Sequence, residues 1–169
     1  MKKFRFLLTA ILFAIVLCAV SACGKDIVKL SFETNGGSSI ETVEVKKGES
    51  YELPVPTRTG FEFDGWFTDA NFSGSAVTSV VAENDATYYA KWTQLYTVTL
   101  DLDGGSLSAT SLYLKAGANL YNAVKELAPS KANHQFAGWF KGEDALTESA
   151  VMPSENVTLK AKYKVAYTV

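Results

Sequence analysis

The stretch Asp101-Leu102-Asp103-Gly104-Gly105-Ser106 sets two carboxylates two residues apart and follows them with glycines. Calcium loops begin this way, because a hard cation takes oxygen ligands from alternate positions around a tight turn. A loop of that type starting at Asp101 needs Gly at its sixth position and a bidentate Glu at its twelfth. The chain has Ser106 and Leu112 there. A second version of the stretch, Glu33-Thr34-Asn35-Gly36-Gly37-Ser38, keeps the glycines and loses both aspartates. What persists is Asn or Asp before Gly-Gly, the chemistry of a hairpin turn whose residues take positive φ. The stretch reads as a turn, and no metal or other cofactor is expected.

The remaining chemistry-bearing residues are few. His134 is the only histidine, so neither a His-based triad nor a multi-histidine metal site can be assembled. Asp64 and Asp69 flank Trp66, a grouping with the paired acids of glycoside hydrolysis in it. Asp64 becomes Ala137 in the second copy of this segment, which favours a surface turn. No acid, base, nucleophile and orienting group occur together, so an enzyme is not expected. Trp66 and Trp139 have two readings, as core anchors or as stacking platforms for glycan rings. Strict alternation turns each away from its aromatic neighbours unless Gly65 and Gly138 mark a bulge. Tyr89 points outward by the same alternation, although its counterpart is Lys160.

The N-terminus is a separate object. Residues 1–22 begin with Lys2, Lys3 and Arg5, continue through a long apolar run, and end in small residues before Cys23. This is the pattern of a cleaved secretory signal peptide. Val20-Ser21-Ala22-Cys23 resembles a lipobox, in which Cys23 is lipidated and becomes the mature N-terminus. Two or three acyl chains make a stable anchor where one binds only marginally. The expected location is the cell membrane, lipid-anchored on its outer side. Without the three basic residues of the signal, 13 Lys and Arg face 18 Asp and Glu. The net charge of −5 is the opposite of what a nucleic-acid-binding protein presents, so no nucleic acid partner is expected.

The rest of the chain is one unit written twice. Residues 28–38 match 96–106, "FDGWF" at 63–67 matches "FAGWF" at 136–140, and "ATYYAKW" at 86–92 matches "VTLKAKY" at 157–163. The first copy covers 27–93 and the second 95–164. Residues 165–169 repeat the opening of a copy, as the start of a truncated third repeat or as a vestigial strand. Val28, Leu30 and Phe32 alternate with polar residues, as do Tyr96, Val98 and Leu100, the period of a half-buried strand. Further strands are expected at Val43 and Val45, at Phe61, Phe63 and Phe67, and at Tyr88, Ala90 and Trp92, each with its counterpart in the second copy. Pro54 and Pro56 forbid a helix in the first connection. In the second, Asn119 is placed to cap Leu120, Ala123, Val124 and Leu127, and Pro129 ends the run. The expected class is α+β: two tandem small β-grasp-like repeat units, mostly β, after a cleaved lipoprotein signal peptide.

Three motifs carry a resemblance: Asn35-Gly36-Gly37, then Gly60-Phe61-Glu62-Phe63-Asp64-Gly65-Trp66-Phe67, then Thr87-Tyr88-Tyr89-Ala90-Lys91-Trp92. They resemble the Listeria–Bacteroides repeat, the internalin B-type repeat of bacterial surface proteins. The second copy departs at Asp103, at Asn133-His134 and at Tyr163. The resemblance implies β-grasp-like units strung on extracellular proteins as spacers or adhesion modules, and it brings no catalytic residues. The partners it implies are the membrane, through lipid on Cys23, and an extracellular protein or glycan.

Overall fold

The computed structural model describes residues 26–166. The signal peptide, Cys23 and the last three residues lie outside the described part. The chain is mostly β. The first repeat supplies β1 (Ile27–Glu33), β2 (Val43–Lys46), β3 (Ser50–Glu52), β4 (Phe61–Phe67) and β5 (Ser79–Val81). Strand β6 (Ala86–Asp101) follows, then β7 (Ser111–Lys115), α1 (Leu120–Val124), β8 (His134–Lys141), β9 (Asp144–Ala145) and β10 (Val157–Val165).

Strand β6 belongs to both repeats. Its apolar positions keep one phase throughout, from Tyr88 and Ala90 to Val98 and Leu100, all four buried. At the repeat boundary only Gln94, polar and exposed, interrupts that phase, and the strand runs through it. Its 16 residues span about 50 Å at ~3.3 Å per residue. In the first repeat, β6 pairs parallel with β1 and antiparallel with β4, while β2 pairs with β1. In the second, β6 takes the role of β1: it pairs antiparallel with β7 and parallel with β10, which pairs with β8. Backbone direction sorts the two edges. The N–H groups of Leu95 and Thr97 reach Gly60 and Asn156 on one side, and that of Leu100 reaches Thr110 on the other. Thus β4 and β10 share one edge of β6, and β1 and β7 share the other.

Each repeat has its own core. The first centres on Leu30, Trp66, Tyr88 and Ala90, the second on Val98, Trp139, Leu159 and Ala161. Asn119 caps α1 as its type predicts, its side chain accepting from the Asn122 N–H. The helix buries Leu120 and Val124 and closes after five residues, short of Pro129. Lys115 on β7 reaches across β6 to Glu62 at 3.0 Å and Asp64 at 3.8 Å, joining the repeats at their surface.

The third-strand expectation needs one correction. The pairing of β4 with β6 slips between Phe63 and Gly65, and that of β8 with β10 slips opposite Gly138. The extra residue reverses the side-chain phase. Phe63 and Trp66 therefore share the inner face, at 5.5 Å between ring centres, and Phe67 turns to the outer face beside Tyr89. Phe140 is likewise on the outer face, with the Lys162 ammonium 4.4 Å from its ring centre.

Candidate functional site

The motif residues converge on one corner of each repeat. Asn35 and Asp103 hold φ of 49° and 46°, and the glycines after them hold 86° and 80°. These are left-handed conformations that Asn, Asp and Gly adopt most readily. The second glycine serves a different purpose. A Cβ on Gly37 would lie 2.5 Å from Cζ2 of Trp92, and one on Gly105 would collide with the Tyr163 hydroxyl. The closing aromatic is seated directly on that glycine. Trp92 Nε1 then donates to Thr34 O at 2.9 Å, and the Tyr163 hydroxyl donates to Leu102 O at 2.8 Å. Tyr therefore replaces Trp in the second copy without loss of the bond.

A cation pins each turn from outside. Arg58 Nη1 donates to Asn35 O at 3.1 Å, and Lys131 Nζ donates to Asp103 O at 2.5 Å. Both follow a buried proline, in Pro56-Thr57-Arg58 and Pro129-Ser130-Lys131. This Pro-Ser/Thr-basic triplet is a shared motif that the sequence displays and that the alternation of apolar residues does not reveal. Asp101 accepts from the Asp103 N–H at 3.0 Å, and Asp103 pairs with Lys160 at 3.1 Å and Lys131 at 3.4 Å. The Lys160 ammonium, foremost through its hydrogen bond, holds the Asp103 carboxyl below its ordinary value. Both carboxylates of the candidate calcium loop are thus engaged by the protein itself.

Trp66 and Trp139 are not stacking platforms. They are 1% and 4% exposed. Their indole nitrogens donate to the carbonyls of Pro54 at 2.7 Å and Leu127 at 2.8 Å. Each ring fastens the connection that crosses the sheet. The bulge turned them inward, so the glycan reading finds no exposed indole there. Asp69 caps its own turn, accepting from Asn71 and Ser73 N–H at 2.9 Å each. Asp64 accepts from the Thr93 hydroxyl at 2.6 Å. Neither acid faces the other across a cleft in these contacts. His134 is exposed on β8, its Nδ1 2.8 Å from Ala132 O, and its ring meets Tyr163 edge-on.

These features define a class: tandem all-but-helix-free repeats joined by a shared strand, with turn and aromatic motifs that serve the fold. The Listeria-Bacteroides repeat domain matches residues 29–91 and 96–162, and the chain belongs to that family. It is also similar to two proteins of Evansella cellulosilytica. One, named "Putative membrane protein", is 34% identical over 147 residues, covering 83% of this chain and 21% of that protein. The other, named "Putative Gly-rich membrane protein", is 33% identical over 149 residues, covering 83% and 17%. The chain spans about a fifth of the length of these relatives. No helix among the described residues is long and apolar enough to cross a membrane.

Proposed function

We propose that this chain is a non-catalytic repeat segment of a bacterial surface protein, tethered by lipid on Cys23, that holds an adhesive or presenting element away from the membrane. The observation that carries the reading is β6. A spacer has to transmit position from one unit to the next, and a strand common to both repeats does so with no linker to bend. The order of strands in each repeat, with first and last parallel at the centre, supports a β-grasp-like unit. The relatives' names as membrane proteins agree with a tether, and the lipobox at Cys23 supplies one.

Two measurements test the halves of this reading. Replacing Cys23 by Ser should move the protein from the membrane fraction into the medium, or leave its signal uncleaved. Processing and membrane retention unchanged in Cys23→Ser would sink the lipid tether. On the Cys23→Ser background, spin labels at Asn84→Cys and Glu155→Cys, both exposed turn positions, report the spacing of the repeats. A single narrow distance distribution is expected, and a broad one would rule out a stiff spacer.

A further inference from the structure

We infer that the outer face of the first repeat carries a binding site for a neutral oligosaccharide, centred on Tyr89. A shallow depression of about 360 Å³ lies there, lined by Glu33, Asn35, Arg58, Phe72, Tyr89 and Trp92. The registers set its layout: Glu33 on β1, Tyr89 on β6 and Phe67 on β4 stand side by side across three strands. Phe67 is buried under Phe72, whose ring meets it edge-on at 5.6 Å. Tyr89 is left half-exposed between a carboxylate and a second aromatic ring.

The loop presenting Phe72 is strained. Phe72 has φ of 58°, a conformation costing about 1–2 kcal/mol in a residue with a Cβ. Asp69 holds it there, accepting from residues on either side while the Phe72 N–H donates to Asp69 O. Such strain persists only where the surroundings fix it, and it gathers at functional surfaces. On the opposite rim Arg58 is equally fixed. Its guanidinium lies 3.7 Å from the centre of the Phe61 ring and spends one donor on Asn35 O. The guanidinium fork carries five donors. The Glu33 carboxylate accepts from the Asn35 N–H at 3.3 Å and has no ion pair among the described residues.

The second repeat provides the control. It has Asp101, Asp103, Lys131 and Lys160 at the positions of Glu33, Asn35, Arg58 and Tyr89. There the cations and Asp103 neutralise one another, Lys160 offers no ring at the position of Tyr89, and the outer-face ring of Phe140 is covered by the Lys162 ammonium at 4.4 Å. One frame therefore carries a closed charge cluster in one copy and an open aromatic shelf in the other. The ligand class follows from the shelf. A pyranose presents C–H groups to an aromatic ring, and its adjacent hydroxyls match planar carboxylate, amide and guanidinium groups in pairs. The cations beside the shelf are already engaged, Lys91 over the Phe67 and Phe72 rings at 5.3 and 5.8 Å and Arg58 over Phe61. Glu33 with the net negative charge of the chain disfavours an anionic glycan.

The test titrates the purified protein with hexasaccharides of glucose, mannose, xylose and N-acetylglucosamine, followed by calorimetry and amide chemical shifts. At least one sugar is expected to bind with Kd near 1 mM or tighter, a weak single-site affinity of roughly 4 kcal/mol. The shifts should centre on Tyr89 and Arg58. Tyr89→Lys, which installs the residue of the second repeat, should weaken binding at least about tenfold. Phe72→Gly relieves the backbone strain while removing the ring and should weaken it too, so loss of folding is not the explanation. Lys160→Tyr should leave it unchanged. Silence of all four sugars at about 10 mM, shifts confined to the second repeat, or wild-type binding by both first-repeat variants would each overturn the site. The spacer role does not depend on it.

Discussion

Trp92 sits on Gly37 so closely that a methyl group there would meet Cζ2 of the indole at 2.5 Å. The same residue ties itself by Nε1 to Thr34, one turn corner further back. Gly37→Ala must therefore displace either the ring or the turn. Overpacking of this kind costs about 1–3 kcal/mol, and the thermal midpoint of the protein should fall accordingly. Gly105→Ala should do the same beneath Tyr163. Equal stability of Gly37→Ala and wild type in urea unfolding would refute the seat.

The central tryptophans invite a graded series. Trp66→Phe keeps most of the apolar volume but leaves the Pro54 carbonyl without its 2.7 Å donor, a loss of about 1–3 kcal/mol for an unsatisfied buried group. Trp66→Ala adds a cavity and should cost about 3–5 kcal/mol. If denaturant unfolding finds Trp66→Phe as stable as the wild type, the hydrogen bond to Pro54 contributes nothing.

Acid should act unequally on the two turns. Asp103 is depressed below its ordinary range, so its contribution is complete above the unfolded carboxylate value, near 4, and is lost as pH falls through the folded value. Asn35 occupies the same place in the first repeat and does not titrate. Asp103→Asn should therefore lose less stability than wild type between neutral and strongly acid pH, in matched thermal melts. Parallel pH profiles would show that the Lys160 pair is energetically silent.

Sharing β6 should make unfolding of the two repeats cooperative. Leu95 is at the junction, its N–H donating to Gly60 O at 2.8 Å. Leu95→Pro removes that donor and interrupts the strand. The wild type should melt in one calorimetric transition and Leu95→Pro in two. Two transitions in the wild type would show the repeats to be independent.

Much of this architecture was legible before any coordinate. Alternation located β1, β10 and the two halves of β6, as the last strand of one copy and the first of the next. The Asn/Asp-Gly-Gly stretches located the turns, and Asn119 announced α1. That the two halves form one strand was not legible. Alternation fails at Gly65 and Gly138 because one unpaired residue inverts every side chain beyond it, and pattern alone cannot say whether an insertion exists. That is why Trp66 and Trp139 remained eligible as surface rings, and why Phe67 was expected inside. The pairing of β3 with β5 was illegible for another reason: three residues carry too little periodicity to announce a strand. Tyr89 was seen to face outward, but the shelf around it depends on Phe72 and Arg58, brought there by loops of no regular period.

A pull on the two ends of this chain would meet an unusual obstacle. β1 runs parallel to β6, and β6 runs parallel to β10. Tension entering before β1 and leaving after β10 slides each pair along its length, so the hydrogen bonds of a pair are strained together rather than peeled singly. A strand common to both units leaves no slack between them to absorb the extension. The shared strand is a clamp against extension.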